Sequence, residues 1–268
     1  YLKKHRGIKE TERLDVRFWP IGASWINCKE DGTLENKINP IPALIIPAKN
    51  AADQLTGVQR IYLDKNTGGK NRFMDNPKLS KGTIEGSAAI LRSGMKGSTI
   101  FIAEGPETAA SISICFPTAT VMTSLGISNI KNLTPLLQKL QGQEVIIAAD
   151  FDGKHAKTSV VTDEVANTLK QEGLNVRVVY PEPVGGLKKT DWNDVLIHKG
   201  KESIQVQLSG VATPNKADLF DINNALKADK QPIITESIKS EMHIKNDASF
   251  KSEIARTHQR IKEMEMEL

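Results

Sequence analysis

The chain has 268 residues, of which 39% are hydrophobic and 25% charged, and a net charge of +4. That length and apolar content suffice for one large or two small domains with real cores, as in a soluble globular protein. No run approaches the length of a membrane span. Cys28 and Cys115 are too few for a disulfide framework and point to a reducing, cytoplasmic setting. The five histidines are scattered, and no C-x-x-C or H-x-x-x-H pair exists to bind zinc. The sequence opens on Tyr1 without a secretory leader pattern and reads as a piece of a longer polypeptide.

Charge is unevenly placed. Residues 1–97 hold 17 Lys and Arg against 10 Asp and Glu, residues 98–200 hold 9 against 11, and residues 201–268 hold 10 against 11. Residues 1–97 carry short strand-like runs, "PALIIPA" and "GVQRIYL", separated by Pro, Gly and Asn, and read as a basic α+β N-terminal subdomain. Within it, "RIYLDKNTGGKNRFMDNPKLSKG" interleaves Arg60, Lys65, Lys70, Arg72, Lys78 and Lys81 with Tyr62 and Phe73. Cations that track phosphates and rings that stack on bases suit single-stranded nucleic acid. The same stretch, with Asn and Gly at its middle, also reads as a solvated hairpin turn. It is not a phosphate-binding P-loop, because Asp64 replaces the first glycine and Asn71 the Ser or Thr after Gly69-Lys70.

A second pattern occupies residues 98–200. Apolar runs of strand length at 99–103, 118–124, 144–150 and 175–180 alternate with helical patterns at about 106–115, 129–141 and 157–172. Such runs indicate βαβ units around a parallel sheet covered on both faces. Residues 201–268 read as a linker and a C-terminal helical segment, "KSEIARTHQRIKEMEMEL".

In an open parallel sheet, ligands collect at the carboxyl ends of the strands. Glu104 stands one residue beyond the first strand, with Gly105 expected to let the chain turn sharply. Asp150 and Asp152 form a D-x-D at the end of the third strand. Asp191, Asn193 and Asp194 follow the fourth in "TDWNDVL". Singly, each acid has a plainer use: Asp191 and Asp152 as helix caps, and Glu107 as a first-turn complement to the helix dipole. Together, strand-end carboxylates from three places suit a hard divalent cation, which takes a few carboxylates plus waters and substrate phosphates.

"IFIAEGPETAASI", "VIIAADFDGKHA" and "KKTDWNDVL" resemble the Toprim domain shared by bacterial-type primases, type IA and type II topoisomerases and some nucleases. The wording is most similar to plasmid and phage primases and primase-helicases. "YLKKHRGI", "PALIIPAKN", "QLTGVQRIYLD" and "SAAIL" resemble the subdomain that precedes Toprim in those proteins. The resemblance implies an α/β Toprim catalytic domain at 98–200 following the basic subdomain. It implies Glu104, Asp150 and Asp152 as catalytic residues and Glu104, Asp150, Asp152 and Asp191 as ligands of Mg²⁺ or Mn²⁺. Asn193 stands where bacterial primases commonly carry a further Asp, which implies a weaker second metal site. The implied activity is synthesis of short RNA primers from ribonucleotides on single-stranded DNA held by Arg60, Lys65, Lys70, Arg72 and Lys81. Its implied setting is a larger plasmid, phage or conjugation protein with partner domains such as a helicase or relaxase. A Toprim nuclease, or an inactive module that binds nucleic acid or protein, fits the same residues. Tyr1, Tyr62 and Tyr180 sit in no recognisable nucleophile setting, which argues against a topoisomerase.

Overall fold

Each of the apolar runs between residues 99 and 180 becomes a four-residue strand of a five-stranded sheet. The computed structural model describes residues 1–25, 39–153 and 157–210. In chain order these carry α1 (Leu2–Arg6), β1 (Arg17–Trp25), β2 (Asn39–Lys49), β3 (Leu55–Tyr62), β4 (Lys78–Gly82) and β5 (Ala89–Arg92). Then follow β6 (Ile100–Ala103), α2 (Pro106–Ser113), β7 (Thr120–Thr123), α3 (Thr134–Leu140), β8 (Val145–Ala148), α4 (Lys157–Gln171), β9 (Val176–Val179) and α5 (Trp192–Ser209). The described residues belong to one compact unit. Cys28 and residues 211–268 of the linker and C-terminal helical segment expected over 201–268 lie outside the described residues. Residues 201–209 continue α5 past a break at Gly200, whose φ of 84° suits glycine.

The strand order is β5-β7-β6-β8-β9, with β7, β6, β8 and β9 parallel and β5 an antiparallel edge. The fold is thus the α/β arrangement with a mostly parallel sheet that the run pattern predicts. β5 comes from the first 97 residues, so the basic segment supplies one strand of the second sheet. Every residue of β6, β7 and β8 is buried. Alternation then feeds two cores. Phe101, Ala103, Val121, Ile146 and Ala148 pack with α2 and α5, whereas Ile100, Ile102, Met122, Val145 and Ile147 pack with residues of α3 and α4.

The other sheet is antiparallel, in the order β1-β2-β3-β4. Leu44, Ile46, Ile61 and Leu63 join the same core as α2, so α2 is buried on every side. An apolar, alanine-rich helix suits that position. Its one charged residue, Glu107, is thereby taken out of water.

Candidate active site

β6 and β8 are neighbours in register, Ala103 opposite Ala148. Their carboxyl ends therefore deliver Glu104 and Asp150 to one rim. A bridge between Phe151 and Thr190, with both backbone hydrogen bonds at 2.8 Å, folds the loop after β9 back onto the D-x-D. Asp191 is thereby set beside Asp150, and Lys189 beside Asp152, which it pairs at 2.9 Å. Trp192 fixes this arrangement: it is fully buried and its indole N–H donates to the Ala149 carbonyl at 3.0 Å.

Asp150 is the acid whose environment is least compensated. Oδ1 is buried without a hydrogen-bond partner. Burial, followed by the charges of Asp191, Glu104 and Asp152, pushes its carboxyl up to about 7, against a smaller opposing pull from Lys78. Glu104 is also raised, first by burial and then by Asp152, with Lys78 and the Ile127 amide opposing. Asp191 is raised by burial and, more weakly, by Asp194. Asp191 is also the N-cap of α5, as its plainer reading has it: Oδ1 accepts from the Asp194 amide at 2.8 Å, and Asp194 Oδ2 accepts from the Asp191 amide at 3.0 Å. The four acids share one electrostatic field, yet among the described residues no group of three or more His, Cys, Asp or Glu is gathered closely enough to hold a metal ion. The orphaned Asp150 oxygen and the mutual repulsion fit a divalent cation held by one or two of these carboxylates, with water and substrate completing its shell.

Two expectations change in the structure. Gly105 has φ −103° and ψ 150°, an ordinary extended conformation, and an added Cβ would meet Glu107 Oε2 and Lys78 Nζ at 3.7 Å, normal contact distance. The sharp turn does not require glycine; Pro106 at the first helical position starts α2. Asn193 has a structural use that the sequence did not show. It is fully buried, and its amide donates to the Arg6 carbonyl at 2.7 Å and to Ser111 Oγ at 2.9 Å, joining α1, α2 and α5.

Sequence reasoning gave Glu107 too small a part. Glu107 is 4% exposed. Its carboxylate pairs with Lys70 at 2.7 Å, Lys78 at 2.8 Å and Arg6 at 3.8 Å, and accepts from the Tyr1 hydroxyl at 2.9 Å. Burial disfavours its charge, but Lys78 and Lys70 outweigh that and bring it down to about 2. Lys70 is nonetheless lowered, because burial and its cationic neighbours Lys78 and Arg6 outweigh a carboxylate it has to share. A lone acid in an alanine-rich helix, downstream of a lysine-rich segment, was the available signal.

The five expected nucleic-acid contacts do not form one stripe. "LDKNTGGK" is a turn: Asp64 Oδ1 accepts from the amides of Asn66 and Thr67, and Leu63 bridges Lys70. Lys70 and Arg72 line a cavity of about 690 Å³ with Arg6, His5, Tyr1 and Phe73. Lys65 is exposed in the turn. Arg60 lies opposite Leu79, and Lys81 opposite Val58, which puts both on the sheet face away from Lys78. Arg60 stacks on Tyr62 at 5.5 Å. Tyr62 is 2% exposed and closed to bases, whereas Phe73 is 90% exposed.

No helix among the described residues is long and apolar enough to cross a membrane. No curated protein matches the chain by sequence. Three solved structures illustrate its structural neighbours. The primase fragment of the bacteriophage T7 primase-helicase has 15% identity and a TM-score of 0.44, over 74% of this chain and 77% of that one. The Aquifex aeolicus primase, zinc-binding and RNA polymerase domains, has 16% identity and a TM-score of 0.44, over 69% and 44%. A DNA primase domain from Pseudomonas aeruginosa has 16% identity and a TM-score of 0.43, over 80% and 63%. Residues 1–91 match a family described as a domain of unknown function, DUF7146. The segment that holds Glu104, Asp150, Asp152 and Asp191 matches the Toprim family, and residues 99–202 are a Toprim domain.

Proposed function

We propose that this chain is the catalytic part of a primase-type nucleotidyltransferase that joins ribonucleotides on a single-stranded DNA template with Mg²⁺ or Mn²⁺. The observation that carries the reading is the Toprim rim itself: burial, and then the charges of Asp191, Glu104 and Asp152, raise the proton affinity of Asp150, which keeps a buried oxygen without a partner. A bound divalent ion would supply charge neutralisation of the phosphates and of the leaving oxygen. Asp150, with Asp152 or Glu104, would hold it. Glu104, whose proton affinity is raised by burial and then by Asp152, would take the proton of an attacking hydroxyl. Lys70 and Arg72 face a cavity large enough for a nucleotide, and exposed Phe73 offers a ring on which a base can stack.

A gel tests this directly. The protein is given single-stranded DNA, ribonucleotides and Mg²⁺ or Mn²⁺, with a dinucleotide to bypass template recognition. Short oligoribonucleotides support the proposal. Shortening of the template shows a nuclease using the same acids. Binding without turnover shows an inactive module.

A further inference from the structure

We infer that Glu107 is a positioning residue: from behind the cavity wall it holds Arg6, Lys70 and Lys78 as a converging set of cations for the phosphates of a nucleotide. The inference rests on the nucleotide reading above and adds a residue to it.

Three cations share one carboxylate, so the cluster carries two positive charges in excess. Arg6 and Lys70 line the 690 Å³ cavity, which puts that excess charge where a ligand can reach it. The three come from separate elements: Arg6 from α1, Lys70 from the turn after β3, and Lys78 from β4. Without a central anion, flexible side chains from three places would repel one another. Glu107 is held in turn by the Tyr1 hydroxyl, which also accepts from Arg6 Nε at 2.8 Å. Its 4% exposure means that the carboxylate does not face solvent as a competitor for the ligand. Lys70 is the cation that most needs it. Burial, Lys78 and Arg6 all lower its proton affinity, and Glu107 is the main group opposing them. Replacing Glu107 with a neutral amide of the same shape therefore leaves a half-buried lysine between two cations, and it sheds its proton at a lower pH.

The test is calorimetric titration of the protein with inorganic triphosphate, from pH 7 to 9, for wild type and Glu107→Gln. If Glu107 positions the cations, the variant binds about tenfold or more weakly, as expected for loss of a charge-assisted contact. Its affinity also falls away at a lower pH than that of wild type. General structural damage would not move the pH profile in that way, and thermal melts establish that the variant is folded. Equal or tighter triphosphate binding by Glu107→Gln overturns the inference and leaves the nucleotide reading intact. Wild-type protein that binds no triphosphate overturns both. If Glu107→Gln does not fold, Lys70→Met and Lys78→Met decide: each weakens triphosphate binding if the cluster is the receptor, and wild-type affinity in both overturns the inference.

Discussion

Replacing Asp150 with asparagine isolates the electrostatic cost of the rim. A carboxyl moved from 3.8 to about 7 binds its proton more tightly folded than unfolded. The stability it contributes is full below the unfolded value and is lost as pH rises through the folded one. At about 1.36 kcal/mol per pH unit, the native state is less stable than in its fully protonated limit by about 2 kcal/mol at pH 5, where only the unfolded chain ionises, and by about 4 kcal/mol at pH 8. The neutral amide of the variant carries no such cost. In urea titrations with EDTA, Asp150→Asn is therefore more stable than wild type, and the gap widens between pH 5 and pH 8. Mg²⁺ added at pH 8 stabilises wild type by linkage and closes much of the gap, while the variant responds weakly. Parallel pH profiles for the two proteins in EDTA would refute the claim that the acids repel one another at a common rim.

Asn193→Asp destabilises the protein by about 1–3 kcal/mol in thermal melts, because a carboxylate cannot donate to the Arg6 carbonyl and Ser111; it does not raise Mg²⁺ affinity. Gly105→Ala changes stability by less than about 0.5 kcal/mol, since the backbone there is one any residue adopts. Phe73→Ala leaves the melting temperature unchanged, and if a base stacks on the ring it weakens single-stranded DNA binding in fluorescence anisotropy by about 1–3 kcal/mol.

The sheet was legible because its strands are buried on both faces: "TIFIA" and "EVIIA" contain no polar interruption within the strand itself, and a buried parallel strand cannot tolerate one. Glu104 and Asp150 were legible for the same reason, as the first charges after such runs. Glu107 was misread because helical position alone does not tell which side of a helix is covered. Its burial depends on Tyr1 and Arg6, on Lys70 from the turn after β3 and on Lys78 from β4, which close over α2 from 29 to 106 residues away. The role of Asn193 was hidden similarly, since its partner Arg6 lies at the other end of the described chain. The basic residues divide by period: in β3 and β4 alternate residues face opposite ways, so Arg60 and Lys81 lie on the face away from Lys78.

Primer synthesis by the Glu104→Gln variant is the most direct test of the proposed activity. On single-stranded DNA with ribonucleotides and Mg²⁺ or Mn²⁺, wild type makes short oligoribonucleotides. Glu104→Gln keeps the side-chain shape and single-stranded DNA binding but loses about 10²- to 10⁴-fold in rate, the usual worth of a general base. Synthesis at an undiminished rate by Glu104→Gln contradicts the assignment of the Toprim rim as the catalytic site.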